Sequence, residues 1–128
     1  MVEERDGDGP TVINQPAGHL EDNESLLAAV RREVMEETGW AFDPQGLVGV
    51  YKWRLPDKGL TYVRYCFWGA GSQRYERPPD SEILRTLWLT GSEILDRPQR
   101  HRSPMVAHCL RDYLAGRRFE LELINEIN

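Results

Sequence analysis

Apolar residues recur along this chain with two different periods. Leu27, Val30 and Val34 follow the three- and four-residue spacing of one helical stripe. Asp22 or Asn23 is placed to cap that helix, and Gly39 to end it in a left-handed conformation. On either side of it the pattern is strand-like. Val2–Glu4 reads as the end of a strand, followed by the turn signal Arg5-Asp6-Gly7-Asp8-Gly9-Pro10. Thr11–Asn14 predicts a short strand. Gly46–Arg54 and Leu60–Ala70 predict a hairpin joined through Leu55-Pro56-Asp57-Lys58-Gly59. Ile83–Leu89 predicts another strand and Ser92–Asp96 a short helix. Ser103–Ala115 predicts a last amphipathic helix with Met105, Val106, Cys109, Leu110 and Tyr113 inward. The sum is a mixed sheet between helices, an α/β fold in one domain over residues 1–128, since 128 residues suffice for one core and not two.

The polar side of the first helix is unusual. Glu33, Glu36 and Glu37 stand at i, i+3 and i+4 and so share one face. Like charges at those spacings repel by a few tenths of a kcal/mol per pair. A solvated acidic surface is the ordinary outcome of such a run. Against it, Glu37 projects only about 20° from Val30 on the helical wheel, which puts a carboxylate at the edge of the core, where leaving it unpaired is costly. A bound cation resolves both problems. Carboxylates without histidine or cysteine suit Mg²⁺ or Mn²⁺, ions that are commonly held together with substrate phosphates. The preceding loop, Asn14-Gln15-Pro16-Ala17-Gly18-His19, is small enough for backbone to approach a ligand, and the Gly18 carbonyl can complete a metal shell.

Gly18, five residues, Glu24, seven residues, then Arg32-Glu33-Val34-Met35-Glu36-Glu37-Thr38-Gly39-Trp40 resembles a complete Nudix box, GX5EX7REUXEEXGU. Every fixed position is met, and only Trp40 is bulkier than the usual aliphatic. The resemblance extends over most of residues 2–124. Asn14–Glu21, Pro56–Lys58, Arg102–Pro104 and Gly116–Phe119 are similar to the NudJ-type phosphatase branch. It implies an α/β/α sandwich and hydrolysis of nucleoside diphosphates linked to another moiety. For the branch, it implies phosphatase or pyrophosphatase action on nucleoside di- and triphosphates and thiamine-related pyrimidine pyrophosphates. By the same resemblance Glu33, Glu36 and Glu37 are divalent-metal ligands, Gly18 adds its carbonyl, and Glu36 or Glu33 is the general base. Arg32 orients a box glutamate and Glu24 braces the helix start. The family also has a full strand and turn ahead of the segment matching Val2–Glu4, so the N-terminal strand is missing from this pattern. That leads us to expect a homodimer or an otherwise protected sheet edge.

Outside the box, Glu82 occupies a place where similar chains carry a metal-binding or basic glutamate. Arg64 alternates with apolar neighbours and is a candidate phosphate ligand; Lys58, Lys52 and Arg54 are weaker ones. Tyr51, Trp53 and Tyr62 are candidates to stack on a base, or else belong to the core. Pro56 matches a proline common in ADP-ribose pyrophosphatases, although the Pro-Asp-Lys turn explains it locally. Cys66 and Cys109 lack metal spacing and read as free thiols.

Composition narrows the partners. A formal net charge of −5 disfavours nucleic-acid binding, and with it decapping of RNA. No apolar run is long enough for a membrane span or signal core, so a cytoplasmic protein with a small pyrophosphate substrate is expected. The rival to a metal-dependent hydrolase is a nucleotide-binding Nudix module that does not cleave.

Overall fold

The structure, a computed structural model, describes residues 1–127. Its strands are β1 (Val2–Glu4), β2 (Val12–Asn14), β3 (Trp40–Leu55), β4 (Leu60–Arg74) and β5 (Ile83–Thr86). Its α-helices are α1 (Leu26–Thr38), α2 (Gly91–Leu95) and α3 (Met105–Leu114). β1 is the middle strand of a three-stranded antiparallel sheet, in the order β2-β1-β5, while β3 and β4 form an antiparallel pair. One isolated parallel bridge, Ile13 to His101, adds the parallel element. α1 packs on β3 and β5, and α3 packs on β3 and α2, so the sheets lie between helices. Ile13, Ile94 and Val106 form the core where β2, α2 and α3 meet.

Several elements differ from their predicted limits for local physical reasons. Ser25 caps α1, its Oγ accepting the Ala28 N–H at 3.0 Å. Asp22 and Asn23 instead lie in a turn closed by the Glu24 N–H on the Glu21 carbonyl, and Asn23 takes a left-handed φ of 61°. Gly39 ends the helix at φ 76°, as expected. β3 starts at Trp40 and β4 ends at Arg74, much longer strands than the apolar pattern indicates. Their pairing absorbs irregularities at Ala41/Phe42, Pro44/Gly46 and Leu47/Gly49, which is how Pro44 is accommodated inside a strand. Thr90, not Ser92, begins α2, through a reciprocal capping box with Glu93. Tyr113, expected inward on α3, is exposed and lies under the Arg118 guanidinium at 3.8 Å.

Among the described residues β4 pairs with no strand except β3. Its outward residues Val63 and Tyr65, opposite Lys52 and Val50 on β3, are exposed. No helix of the described chain is long and apolar enough to cross a membrane.

Candidate active site

Arg32 organises the acidic face of α1. Its Nε and Nη2 donate to the two oxygens of Glu24 at 2.9 and 2.6 Å, a bidentate pair. Nη1 donates to Glu33 Oε1 at 2.6 Å and to Glu36 Oε2 at 3.1 Å. Nη2 also donates to the His19 carbonyl at 2.9 Å, tying the preceding loop to the helix. With Glu21 Oε1 also 3.6 Å from Nη1, one cation thus draws together four carboxylates, two from the preceding loop and two from the helix. The Arg32 guanidinium, helped by the Glu21 N–H, holds the Glu24 carboxyl down at about 2.

Oxygens of Glu33, Glu36 and Asp80 all lie within 4.8 Å of one another. Glu33 and Glu36 face the same way because they are three residues apart on a helix. Asp80 arrives on the loop after β4, which crosses the C-terminal end of α1. There the Tyr75 N–H donates to the Gly39 carbonyl at 2.7 Å and the Asp80 N–H to the Glu36 carbonyl at 3.4 Å. Gly18 packs directly on Glu33: a Cβ at position 18 would run into the carboxyl carbon and both its oxygens.

Glu37 is the one fully buried residue of α1, at 5% exposure. Both its oxygens accept the Ala17 N–H, at 3.2 and 3.1 Å. Burial pushes its carboxyl up to about 8; the Ala17 hydrogen bond opposes this, and the charges of Glu33, Glu4 and Asp80 add to it. Glu4 contributes a further buried oxygen, Oε1, without a hydrogen-bond partner, while its Oε2 is 3.8 Å from Arg102 Nη1. The all-carboxylate donor set of Glu33, Glu36 and Asp80 fits a hard divalent cation such as Mg²⁺ or Mn²⁺.

The other candidates from the sequence are placed differently. Glu82 is exposed in the turn before β5, and its carbonyl accepts the Arg5 N–H at 3.0 Å; the acid that joins Glu33 and Glu36 is Asp80. No periodic signal marks Asp80, which follows Pro78-Pro79 in a polar loop. Arg64 is half-buried, donating to Gln15 Oε1 at 3.1 Å and Asn14 Oδ1 at 3.3 Å, so it fastens β4 to the loop before the helix. Lys58 is exposed in the 3₁₀ turn at the hairpin tip. The Tyr51 hydroxyl donates to Asp112 Oδ2 at 2.6 Å, joining β3 to α3. Trp53 and Tyr62 stack on each other, with ring centroids 5.8 Å apart at 22°. Cys66 and Cys109 are free, the first half-buried and the second buried.

The chain and its fold have close parallels. The NUDIX domain profile matches residues 1–109. Phosphatase NudJ of Escherichia coli (strain K12) is 39% identical over 129 aligned residues, covering all of this chain and 83% of that protein. Phosphatase NudJ of Shigella sonnei (strain Ss046) is similar to the same extent. A solved NUDIX hydrolase from Nitrosomonas europaea superposes with a TM-score of 0.93 at 40% identity, over 98% of this chain and 86% of that one. Divalent metals are typical of the family. The chain belongs to the Nudix family, and it is a hydrolase acting on phosphoric anhydrides.

Proposed function

We infer that this single Nudix domain hydrolyses nucleoside di- or triphosphates or thiamine-related pyrimidine pyrophosphates, using Mg²⁺ or Mn²⁺ held by Glu33, Glu36 and Asp80. The observation that carries the reading is the convergence of those three oxygens within 4.8 Å beside the Gly18 backbone. When bound, such a metal neutralises phosphoryl oxygens and makes a water nucleophilic at neutral pH. Arg32 sets the orientation of Glu33 and Glu36 through its bonds of 2.6 and 3.1 Å. Glu36 or Glu33 takes the proton of the attacking water. Gly18 is free of a side chain where one would displace Glu33, which leaves its carbonyl able to join the site. Glu37, buried against the Ala17 N–H, holds the loop in place from below.

The test is release of phosphate or pyrophosphate from a panel of nucleoside di- and triphosphates, ADP-ribose and thiamine-type pyrophosphates. Activity is expected with Mg²⁺ or Mn²⁺ and should vanish on chelation. Turnover that persists after chelation would refute the metal role, and nucleotide binding without any turnover would identify a binding module.

A further inference from the structure

Two thiols inside the molecule take no part in the acidic centre. Arg64 and Cys66 are two residues apart on β4 and share its inner face, while Val63 and Tyr65 are exposed on the other. Their partners on β3 are Tyr51 and Gly49. α3 packs on β3 and carries Cys109 and, one turn later, Asp112. The Tyr51 hydroxyl donates to Asp112 Oδ2 at 2.6 Å, which fixes the helix over the strands. At that register the Cys66 thiol meets the Cys109 thiol, within side-chain hydrogen-bonding reach. These are the two cysteines of the chain.

The pair is chemically uneven. The Cys66 thiol, as donor, holds Cys109 below the ordinary thiol range; burial opposes this, and the Arg64 guanidinium adds to it. Cys66 is pushed up by its bond to Cys109 and by burial. A sulfur with thiolate character beside a second thiol is the arrangement in which an oxidant is attacked and the product resolved within one chain. Cys66 is only half-buried, so the pair lies at the rim of the core.

We propose that Cys66 and Cys109 are an oxidisable dithiol, closed by hydrogen peroxide into a disulfide that ties β4 to α3 and slows turnover. The Cys109 sulfur attacks one peroxide oxygen, the O–O bond breaks, and the released hydroxide takes a proton and leaves as water. The Cys66 sulfur then attacks the resulting sulfenic sulfur. The S–O bond breaks, and its hydroxide leaves with the Cys66 proton as a second water. Two electrons pass from the sulfurs to the peroxide, and a dithiol reductant reverses the change.

Gln15 carries the effect to the acidic centre. Its Nε2 donates to the Val106 carbonyl of α3 at 2.9 Å, and its Oε1 accepts from Arg64 of β4 at 3.1 Å. Gln15 thus bridges the same two elements beside the thiols. A disulfide draws its sulfurs to about 2 Å, closer than two thiols approach without bonding, so the bridge must shift. Gln15 opens the loop whose Ala17 N–H bonds Glu37 and whose Gly18 packs on Glu33. The effect on turnover, unlike the bond itself, rests on the hydrolase reading above.

The experiment treats the full chain with hydrogen peroxide, alkylates the remaining thiols under denaturing conditions and takes the intact mass. A monomer two hydrogens lighter with no alkylated cysteine is expected, and dithiothreitol should restore both thiols. The melting temperature of the oxidised form should rise by on the order of 10 °C, because the bridge closes a long loop in the unfolded chain. kcat should fall about tenfold, as for a small displacement at the reacting centre, and recover on reduction. Cys66→Ser and Cys109→Ala should keep the unoxidised rate and melting temperature after peroxide; Cys66→Ser, at the half-buried position, decides alone if Cys109→Ala does not fold. Two alkylatable cysteines after peroxide, a sulfinic acid on either, or chains linked to one another overturn the pairing. A disulfide that leaves kcat unchanged overturns the coupling through Gln15, as does a loss of rate that persists in Cys66→Ser. The mass and melting readouts decide the pairing even if no substrate is cleaved.

Discussion

Helix α1 with its preceding loop and the β3–β4 hairpin arm face each other across a groove between Gly18–Leu20 and Leu60–Val63, but are built on opposite terms. On α1, charge is dense and mutually satisfied: Arg32 bonds Glu24, Glu33, Glu36 and the His19 carbonyl within one cluster. The first half of β3 packs on α1 and α3, with Leu47 and Val48 buried, whereas the hydrogen bonds from the distal half of the arm to the rest of the molecule are few and specific. Tyr51 bonds Asp112, and Arg64 bonds Asn14 and Gln15, while Val50, Val63 and Tyr65 on the outward side remain exposed. A pre-set electrostatic cluster suits bond breaking, where any misplacement is costly. A long hairpin whose distal half is lightly anchored suits selection among leaving groups, where tolerance is useful. The division of labour can be broken from either side.

The largest effect is expected on the helix. Glu36→Gln keeps size and hydrogen-bonding capacity but removes one charge of the triad with Glu33 and Asp80. kcat should fall by about 10²- to 10⁴-fold, the range for losing a general base, while thermal stability holds because a like-charge repulsion is relieved. Steady-state kinetics with the melting temperature in parallel make the check. Asp80→Asn should impair activity more than Glu82→Gln, because Asp80 reaches the glutamates and Glu82 sits in the exposed turn before β5. An inert Glu36→Gln would move the chemistry off α1 altogether.

Gly18→Ala comes next, and it probes the wall common to both regions. The added methyl overlaps the Glu33 carboxylate, so that side chain must move away from Glu36 and Asp80. Metal affinity should drop by about 10- to 100-fold, as when a group that orients a ligand is lost. Titration of Mn²⁺ followed by its electron paramagnetic resonance signal would read this without relying on turnover.

These two variants concern the part of the molecule most legible from its sequence. Helical spacing alone puts Glu33, Glu36 and Glu37 on one face with Glu37 at the core edge; the 5% exposure of Glu37 agrees with that geometry, while the third oxygen beside Glu33 and Glu36 comes from Asp80. Such relations are local: three or four residues of backbone determine them. Asp80 carries no local signal for the converse reason, since its position depends on where a polar loop lands after a fifteen-residue strand. The same holds for Arg64. Alternation points it inward, and only the long-range register, with Asn14 some fifty residues away in the chain, shows that it bonds the side-chain amide oxygens of Asn14 and Gln15. β3 and β4 run beyond the apolar pattern because their outer halves carry glycine, proline and polar residues that bulges accommodate.

Glu37 offers a smaller, pH-dependent handle on the helix. Its carboxyl is raised from the ordinary 4.5 to about 8, mainly by burial. Between those values the unfolded chain has lost the proton and the folded chain still holds it. The folded state then binds more protons, so stability falls as pH rises from about 4.5 to 8 and levels off above. With partial hydration of the site the loss should be about 2 kcal/mol. Chemical denaturation at pH 5 and pH 8 in the presence of a chelator measures it. Glu37→Gln should flatten the profile; a wild-type stability that rises over this window would contradict the burial of an uncharged acid there.

The smallest effects belong to the arm, and they separate fastening from substrate binding. Arg64→Ala removes two hydrogen bonds, to Gln15 and Asn14, from a half-buried site. Each is worth about 1 kcal/mol net, so the variant should lose on the order of 1–2 kcal/mol of stability. It should also show a raised KM for every substrate alike, because the loop carrying Gly18 is loosened as a whole. Lys58→Ala, at the exposed hairpin tip, should stay within about 0.5 kcal/mol of wild type. If Lys58→Ala instead raises KM while Arg64→Ala leaves loop and stability intact, the cation that meets the phosphates lies at the tip of the arm. The hairpin would then have to close over α1 during turnover, and its light anchoring would be a hinge and not merely a tolerance.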